Sequence, residues 1–588
     1  MHLEDPETVT GAVASLVSDS TGVLRRVALF ASAEEFLRVS PERGPNVLWI
    51  NLEDVSAHRL GCYGDDVAET PRIDEFAADA RVYRNAFTTS PVCSPSRSAV
   101  ITGTYQTSIG CHHHRASLDR DYADGQPTPY DAVPPHYVRA FTEYLRRDGY
   151  YCVKNGKDDF NFGEPFSVWN EHVAHDADVD WRDRPDADQP FFASFQIPVT
   201  HESGMWEPGQ KRYGGVPGEL ETDPAAVAVP PYLPDCTATR RAIARHYDNL
   251  VAADRRVGEL LDRLEEDGLV DETLVVLWSD HGEGLPRNKS WLYDGGLNVP
   301  LVVRWPGEVD PGETDELVSN VDLAPTVLAA AGIDRPPWME GRTVLGADRA
   351  DPREYVFAAR DRQDCGYVFQ RAVRDERFKY IRNYAPEEPT PWFPYRNRHP
   401  VMEELKRRQA SGDLDGAERW FETPLPAEEL YDTETDPHET ENLVGDATAE
   451  ADLDRLRGAL DDWQERTGDL GLVDESQLVD RWWPEGDRPT TATPTFVPNA
   501  RGNRGTDRTP DGGTFDAPAQ VQLFCSTQGA SIAYTTESGS DPDWRLYTGP
   551  IDLPTGETTL RTKAVRYGYA ESDERDATFT CSPWGSDR

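Results

Sequence analysis

Three continuous apolar segments constrain the fold of this chain more than any other feature of its sequence. They read NVLWINL at 46–52, PFFASFQI at 190–197 and TLVVLWSD at 273–280. Because apolar residues occupy both faces, such segments are typical of strands buried on both sides in a parallel sheet. The stretch ATRRAIARHYDNLVAADRRVGELLDRLEEDG, between the second and third segments, predicts one long helix or two. Strands that alternate with helices predict an α/β domain with a mostly parallel sheet flanked by helices.

The sequence pattern divides the 588 residues into five regions. Residues 1–43 form an N-terminal extension that the pattern leaves unassigned, and the α/β domain occupies 44–348. Short alternating segments and a closing amphipathic helix over 349–478 predict a smaller α+β subdomain with an antiparallel sheet. The Pro, Thr, Gly and Arg content of 479–514 predicts a linker. Alternation between turn signals over 515–588 predicts a small β-sandwich.

The chain is strongly acidic, with 105 acidic and 60 basic residues and a formal net charge of -45. This charge makes nucleic acids and anionic membranes poor partners. We interpret it as an adaptation to strong salt, where charge repulsion is screened within a few ångströms, so the protein is expected to be halophilic. Only seven residues are lysine, at 154, 157, 211, 289, 379, 406 and 563.

The sequence shows no targeting or membrane signal. It contains no run of about twenty apolar residues, the length needed to span a bilayer. Its N-terminus, MHLEDPETVTGAVASLVSDS, lacks the basic start of an export signal. We therefore expect a cytoplasmic protein, with export left open.

The eight cysteines are scattered and contain no C-x-x-C pair, which argues against a thiolate zinc site. Cys525 and Cys581 lie in the same predicted sandwich. They could form a disulfide or remain free thiols, and the sequence leaves both options open.

Charged and imidazole side chains follow each of the three apolar segments. Glu53 and Asp54 follow the first, His201 follows the second, and Asp280 and His281 end the third. In open α/β sheets, ligands bind beyond the carboxyl ends of the strands. Paired acids there are costly to bury unless a cation joins them, and carboxylate oxygens favour Ca²⁺ or Mg²⁺. In a chain this acidic, a single pair of acidic residues would be interpreted as solvated surface. Two pairs of polar residues, each at the end of an apolar strand, predict a metal site instead.

The stretch CSPSRSAVITG predicts a helix that begins beside Cys93. Pro95 suits the first turn of a helix, and Gly103 suits its end. Unpaired N–H groups at a helix N-terminus attract anions, and Arg97 adds a full positive charge. Cys581 opens the same Cys-Ser-Pro tripeptide but has neither an arginine nor room for a helix. We therefore expect Cys93, not Cys581, to be a reactive side chain in an anion-binding corner.

The same stretch resembles the sulfatase signature, Cys-x-Pro-x-Arg followed by an apolar run and Thr-Gly. Further segments resemble the family in order and spacing: PNVLWINLED, LWSDHGEG, KSWLYDGGLNVPLVVRWPG and ELYDTETDPHETENLV. The resemblance covers about residues 44–475 and is nearest to the heparan N-sulfatase-like, carbohydrate-directed group. It implies an alkaline-phosphatase-like fold. The tail from about residue 515 resembles the small β domain at the end of chitobiases.

The resemblance also implies roles for individual residues. Cys93 would be oxidised to formylglycine by a separate activating enzyme, and the hydrate of that aldehyde would attack sulfur. Arg97 and Lys289 would hold sulfate oxygens, and His201 would protonate the leaving oxygen of a sulfated saccharide. One divalent cation, Ca²⁺ in the first place and Mg²⁺ as the alternative, would have four ligands: Glu53, Asp54, Asp280 and His281. Of these, Glu53 replaces the family's more common Asp, and His281 replaces the Asn of many members.

One motif departs from the family pattern. NGKDDFNF supplies Lys157, which matches the lysine of the family's Gly-Lys-x-His, but Asp159 stands where the family has His. GCHHHRAS offers His112, His113 and His114 as stand-ins, with a hydrated loop as the alternative interpretation. We expect His113, His114 and Asp159 to lie in the substrate site and Lys157 to be catalytic.

The resulting prediction is a sulfuric ester hydrolase that acts on a sulfated carbohydrate. Three alternatives remain: a sulfamidase of the N-sulfoglucosamine type, a phosphate or phosphonate monoesterase of the same superfamily, and a carbohydrate-binding protein with an inactive site. The residues leave open the sugar, the position of the sulfate and the oligomeric state.

Overall fold

The structure is a computed structural model that describes residues 44–118, 127–173, 179–206, 213–364, 366–387, 395–499, 511–515, 519–540 and 542–583. The N-terminal extension predicted over 1–43 lies outside these residues. The strands in the described residues are β1 (Asn46–Leu52), β2 (Arg81–Tyr83), β3 (Ala86–Phe87), β4 (Tyr151–Asn155), β5 (Glu171–Val173), β6 (Phe191–Ile197), β7 (Thr273–Ser279), β8 (Leu301–Arg304), β9 (Gly312–Thr314), β10 (Val318–Ser319), β11 (Val356–Arg360), β12 (Gln370–Arg374), β13 (Phe378–Asn383), β14 (Glu428–Asp432), β15 (Thr495–Asn499), β16 (Gly512–Phe515), β17 (Ala519–Phe524), β18 (Ser531–Thr535), β19 (Arg545–Leu546), β20 (Ile551–Leu553), β21 (Gly556–Val565) and β22 (Arg575–Cys581). The α-helices are α1 (Pro71–Ala78), α2 (Cys93–Thr102), α3 (Phe141–Arg147), α4 (Thr237–Glu266), α5 (Asp294–Leu297), α6 (Leu323–Ala330), α7 (Pro400–Ser411), α8 (Glu450–Thr467) and α9 (Glu475–Trp482).

The three apolar segments form the centre of the main sheet, as adjacent strands β6, β1 and β7. The sheet has eight strands in the order β5-β4-β6-β1-β7-β8-β2-β9. β1 pairs in parallel with both of its neighbours, whereas β8 runs antiparallel to β7 and to β2. The predicted mixed, mostly parallel sheet is therefore confirmed.

Apolar side chains cover both faces of this sheet. Along β1, Leu48 and Ile50 point into a core cluster that includes residues of α1, α4 and α7. Val47 and Trp49 point into the opposite cluster, which includes residues of α2, α3 and α6. Successive side chains of a strand alternate between its faces, so a strand covered on both sides needs an unbroken apolar sequence.

The long helical stretch forms a single helix, α4, of 30 residues. Its buried side chains include Ile243, Leu250, Val257 and Leu264, which recur at seven-residue spacing along one face. Among the described residues, no helix is both long enough and apolar enough to cross a membrane.

The smaller C-terminal subdomain has the predicted α+β form. Strands β11 to β14 form a four-stranded antiparallel sheet in sequence order. α8 packs on this sheet through Leu456, Leu460 and Trp463, and the Trp463 ring stacks on Phe357 with ring centroids 5.1 Å apart. Helix and sheet thus share one apolar core.

The final residues form the predicted sandwich of two sheets, one of three strands and one of five. The first sheet begins with β15, in the segment that the sequence pattern assigns to the linker. β15 pairs antiparallel with β17, and Phe496 of β15 packs in the sandwich core with Phe579. The high Pro and Thr content of this segment predicts a linker, but the segment contains a strand whose Phe496 side chain is buried. Cys525 and Cys581 are free thiols.

The sandwich is docked on the α/β domain by polar and aromatic contacts. The hydroxyl of Tyr567 donates to Glu143 Oε1 at 2.6 Å and accepts from the backbone N–H of Ala140 at 3.0 Å. The Tyr567 ring stacks on Phe162, with centroids 4.6 Å apart. These groups are buried and their polar atoms are paired, so the contacts favour one arrangement of the sandwich on the α/β domain.

Candidate active site

The carboxyl ends of β1 and β7 meet the beginning of α2. Cys93 is the first residue of α2, one position further into the helix than the sequence predicts, and Val92 is the N-cap. Its Sγ lies 3.2 Å from His281 Nε2, which in turn lies 3.3 Å from Asp54 Oδ1. The residues at the two strand ends are thus brought together with the candidate nucleophile.

Hydrogen bonds hold α2 against the end of β7. The Ser96 hydroxyl donates to the backbone carbonyl of Asp280 at 2.6 Å. At the other end Gly103 stops the helix with φ 64°, a left-handed conformation that favours glycine. Every side chain of α2 is buried, so the position of Cys93 is set by packing along the whole helix.

Arg97 is buried and bonded to the strand ends. Its Nε donates to Asp280 Oδ2 at 3.0 Å, and a terminal nitrogen donates to Asn51 Oδ1 at 3.1 Å. Burial opposes the charge on Arg97, but Asp280, followed by Glu53, raises its pKa above the ordinary value. A permanent positive charge therefore lies beside Cys93, as the sequence predicts.

The acidic residues at the strand ends have the features of a cation site. Glu53, Asp54 and Asp280 are fully buried. Burial raises the pKa of Glu53 to about 7 and also raises the pKa of Asp54. Glu53 Oε2 and Asp54 Oδ1 have no hydrogen-bond partner, although buried polar atoms are normally paired.

The donor atoms are also close enough to share one ion. Ligand atoms of Asp54, Cys93, Asp280 and His281 all lie within 4.8 Å of one another. Burial alone would lower the pKa of His281, but Asp280, Cys93 and Asp54 raise it to about 9. A bound cation would reverse this effect and favour the neutral, ligating imidazole. Carboxylate oxygens suit a hard divalent ion, so three of the predicted ligands, Asp54, Asp280 and His281, fit the expected cation. Glu53, the fourth predicted ligand, is not in this group of close donor atoms and pairs with Lys157 instead.

Two lysines, Lys157 and Lys289, flank this cluster. Lys157 Nζ donates to Glu53, and Lys289 Nζ lies 2.7 Å from Asp54 Oδ2 and 3.2 Å from Glu202 Oε1. Burial would raise the pKa of the Cys93 thiol, but Lys157, Lys289 and His281 bring it well below its ordinary value. The same charges would stabilise an anionic oxygen at this position.

His201 follows β6, and one of its ring nitrogens lies within 4.8 Å of carboxylate oxygens of Asp54 and Glu202. His201 Nδ1 lies 3.3 Å from the backbone nitrogen of Ser203 and 2.9 Å from the Ser203 hydroxyl, which itself donates to the carbonyl of Tyr213 at 2.6 Å. Burial, followed by Lys289 and Lys157, lowers the pKa of His201 well below its ordinary value. The ring is thus held in one orientation by its Nδ1 contacts with Ser203.

A small cavity opens onto Cys93. Its volume is about 70 Å³, several times the roughly 10–15 Å³ that a cavity needs to hold one water. This space suits one compact anionic group, so a sugar attached to that group would lie at the mouth. The cavity is lined by Cys93, His114, Arg115, His201, Glu202, Lys289, Gln363, Asp364, Tyr395 and Arg396.

The three residues expected in the substrate site have different positions. His114 lines the cavity, and one ring nitrogen lies within 4.8 Å of both Cys93 Sγ and an Asp159 oxygen. Asp159 lies 3.0 Å from Arg115, and this ion pair holds its pKa below the ordinary value against the effect of burial. His113 does not line the cavity.

His113 instead belongs to the contact between the domains. Its Nδ1 accepts from the backbone N–H of Arg362 at 3.2 Å, and its Nε2 lies 3.7 Å from Glu475. The ring is buried, and burial keeps its pKa low. Adjacent residues in an irregular segment point in different directions, so the triplet contributes only one histidine to the cavity.

Sequence reasoning misses several cavity residues. Arg115 and Glu202 are each next to a predicted residue, so neighbourhood in the sequence is a usable signal for them. Tyr395 and Arg396 follow no motif. Arg396 donates from its guanidinium to the backbone carbonyl of Lys289 at 2.8 Å, a contact that only the folded chain creates.

Comparisons with known proteins agree with this geometry. Residues 45–333 match the family model described as sulfatase, and residues 282–404 match that described as N-sulphoglucosamine sulphohydrolase, C-terminal. Residues 510–575 match the model described as chitobiase/beta-hexosaminidase C-terminal domain. The residues that match the sulfatase model include Cys93 and the residues at the ends of β1 and β7: Glu53, Asp54, Asp280 and His281.

Two solved structures share the fold. One is described as a complex with its substrate D-glucosamine-2-N,6-O-disulfate (17% identity, TM-score 0.51, 74% of this chain and 100% of that chain). The other is a phosphonate monoester hydrolase from Silicibacter pomeroyi (19% identity, TM-score 0.51, 73% of this chain and 97% of that chain). At such identity they show the fold alone.

Curated relatives are closer in sequence. An ulvan-active sulfatase from Formosa agariphila is 37% identical over 570 residues, covering 90% of this chain and 91% of its own length. Human N-sulphoglucosamine sulphohydrolase is 27% identical, covering 71% of this chain and 89% of its own length. A relative with this identity along nearly the whole of both chains, and the match that spans the Cys93 site, show that this chain belongs to the sulfatase family.

Proposed function

We propose that this protein hydrolyses the sulfate esters of a sulfated polysaccharide such as ulvan, the polymer for which its relative from Formosa agariphila is named. The observation that carries the proposal is the cavity at Cys93, which is large enough for one oxyanion group and is lined by Lys289, His201 and Arg115. The charges of Lys157 and Arg97 also act on Cys93, although neither residue lines the cavity. The match to this relative covers 91% of the relative's length, and this supports a polysaccharide as the substrate.

Two groups would complete the site. Formylglycine, formed from Cys93 by a separate activating enzyme, would supply a hydroxyl nucleophile as its hydrate. A divalent cation, Ca²⁺ or alternatively Mg²⁺, would supply positive charge against the sulfate oxygens and would be held by Glu53, Asp54, Asp280 and His281. The orphaned carboxylate oxygens of Glu53 and Asp54 support this assignment.

The chain's own residues bind and orient the sulfate group. Lys289 lines the cavity and Lys157 lies beside Glu53, so both ammonium groups neutralise charge on sulfate oxygens. Arg97 orients Asp280 and adds a fixed charge behind Cys93. Because these groups are buried and held by hydrogen bonds, they need little rearrangement when charge develops.

His201, in its imidazolium form, would donate its Nε2 proton to the oxygen of the departing sugar and return to the neutral imidazole that burial favours. We expect His201→Gln to lower sulfate release from the polysaccharide by about 10²- to 10³-fold, the usual contribution of a general acid. An activated aryl sulfate such as 4-nitrophenyl sulfate should lose much less, because its leaving group departs without a proton. Parallel steady-state rates on the two substrates give the ratio.

The exposed His438 supplies the matched control for this experiment. His438→Gln should leave both rates unchanged. Equal losses on the two substrates after His201→Gln would show that His201 does not act as the acid.

The test of the proposed function is sulfate release from ulvan and heparan sulfate by protein carrying the modified Cys93. Sulfate and phosphate esters of one phenol, compared by kcat/KM, separate a sulfatase from a phosphate or phosphonate monoesterase. N-sulfated glucosamine should be included, because residues 282–404 match the N-sulphoglucosamine sulphohydrolase C-terminal model. Binding of these saccharides without turnover would favour a binding protein instead.

The acidic surface should make turnover of a polyanion depend on salt. With a net charge of -45, the chain repels a sulfated polymer in dilute buffer. We expect sulfate release from the polymer to rise with NaCl up to about 1 M, where the screening length is near 3 Å. Initial rates over a salt series measure this, and a small aryl sulfate is the control. Highest polymer turnover in dilute buffer would contradict the prediction.

A further inference from the structure

A second cleft lies between the α/β domain and the sandwich. It has a volume of about 400 Å³, within the range of roughly 300–1,000 Å³ of ligand sites. Its lining includes three tyrosines and two arginines: Tyr137, Arg139, Tyr144 and Arg147 from the α/β domain, and Tyr547 from the sandwich.

This cleft is separate from the Cys93 cavity and shares no lining residue with it. Tyr137 lies next to Trp338, with ring centroids 6.3 Å apart, and the carbonyl of Trp338 accepts from Thr104 Oγ1 at 3.1 Å. Thr104 follows α2 at the end opposite to Cys93, and a ten-residue helix is about 15 Å long. One sugar residue cannot reach both places.

The walls of the cleft are held in place before any ligand arrives. Glu143 at its floor accepts from the hydroxyls of Tyr567, at 2.6 Å, and Ser531, at 2.7 Å, which both belong to the sandwich. Gly529 lies so close to His136 that an added Cβ would be 2.3 Å from the His136 carbonyl oxygen. The two domains therefore meet backbone to backbone beside the cleft, and the site is preformed.

The exposed side chains of the cleft suit an anionic sugar. Tyr137 is 52% exposed, although a large aromatic ring is normally covered. Arg147 is exposed, and among the described residues no carboxylate pairs with it. The charge of Arg139 is shared with Glu143, 3.5 Å away. Tyrosine faces pack against sugar rings, and guanidinium groups bind sulfate and carboxylate oxygens through paired hydrogen bonds.

The local charge is also opposite to that of the whole protein. The charged side chains of the cleft lining are two arginines and one glutamate, in a chain whose net charge is -45. Arg147 lies in the same lining as the exposed Tyr137, and a surface charge of this kind contributes little to folding, so stability does not explain it. These side chains indicate a ligand that carries negative charge on a ring framework.

We propose that this cleft is a second carbohydrate-binding site, which holds a segment of the sulfated polysaccharide away from the reacting sulfate. The identity of the ligand depends on the proposed function. By keeping the enzyme on the polymer, the cleft raises the local concentration of sulfate esters at the Cys93 cavity.

Binding to ulvan tests this proposal in the Cys93→Ala chain, which cannot consume the polymer. Adding Tyr137→Ala and Arg147→Ala should weaken binding at least tenfold by affinity electrophoresis, and desulfated ulvan should bind more weakly than ulvan. The control pair is Tyr384→Ala and Arg407→Ala, also an exposed tyrosine and arginine, and should leave the affinity unchanged. Unchanged affinity in the cleft variant would overturn the proposal.

Kinetics of the active chain distinguish this proposal from the proposed function. The cleft variant should raise KM for ulvan about tenfold and leave turnover of 4-nitrophenyl sulfate and the unfolding temperature unchanged. If ulvan is hydrolysed with the same KM by both chains, the second site is wrong and the proposed function stands. If the unaltered chain neither binds nor hydrolyses ulvan, both are wrong for this polymer.

Discussion

Replacing Cys93 with alanine should lower sulfate release by at least about 10⁴-fold, since the site would lose its nucleophile while the binding groups remain. The variant should fold, because Cys93 begins a helix whose other residues are buried independently of its thiol. Rates on 4-nitrophenyl sulfate and on the polysaccharide, together with far-UV circular dichroism, measure the two effects. Retention of even a few per cent of the activity would remove Cys93 from the reaction.

The matched control is Cys581→Ala, which changes the other Cys-Ser-Pro tripeptide. Cys581 is buried in the sandwich, where it pairs with Gly556 across β21 and β22. We expect full activity and a small loss of stability. The mass of the peptide that carries Cys93, from protein made in its own host, completes the test. An aldehyde has a lower mass than the thiol, whereas an unmodified thiol in active protein would exclude formylglycine.

The centre of the fold was predictable because it depends on local sequence. A strand covered on both faces needs an unbroken apolar run, and NVLWINL is such a run. Because parallel strands end at one edge, Glu53 and Asp280 could be expected to meet there. Both predictions rest on short-range patterns that leave few alternatives.

The cavity mouth was less predictable because it forms from distant parts of the chain. Tyr395 and Arg396 approach Cys93 only when the C-terminal part of the chain folds back over the strand ends. No periodicity marks either residue. His113 shows the converse case, since its sequence position beside His114 suggests the substrate site, but the structure pairs it with Arg362 and Glu475. The direction of a side chain in an irregular segment depends on tertiary contacts.

The sandwich boundary shows a third kind of limit. Composition places Phe496 in a linker, but this one aromatic side chain packs into the sandwich core and holds β15 there. A linker assignment based on average Pro and Thr content cannot detect a single anchor. Composition is thus informative about a region and weak about its ends.

Asp54→Asn should abolish binding of the divalent cation and lower sulfate release by at least about 10³-fold. The substitution removes one negative charge from the donor set but keeps the size of the side chain. Asparagine also tolerates the left-handed backbone at this position, where φ is 57°. The loss would therefore come from the missing charge, because two positive lysines and Arg97 would then face fewer carboxylates and repel the ion.

Calcium content and calcium-dependent unfolding measure this effect without relying on activity. At a hundredfold excess over its Kd, Ca²⁺ should raise the free energy of unfolding of the unaltered chain by about 2.7 kcal/mol. The Asp54→Asn chain should show no such rise. Asp66→Asn, which changes an exposed acid in the segment between β1 and α1, should behave like the unaltered chain. If Asp54→Asn binds one equivalent of Ca²⁺ with unchanged affinity, the ion is held elsewhere, and the orphaned oxygens of Glu53 and Asp54 would need another partner.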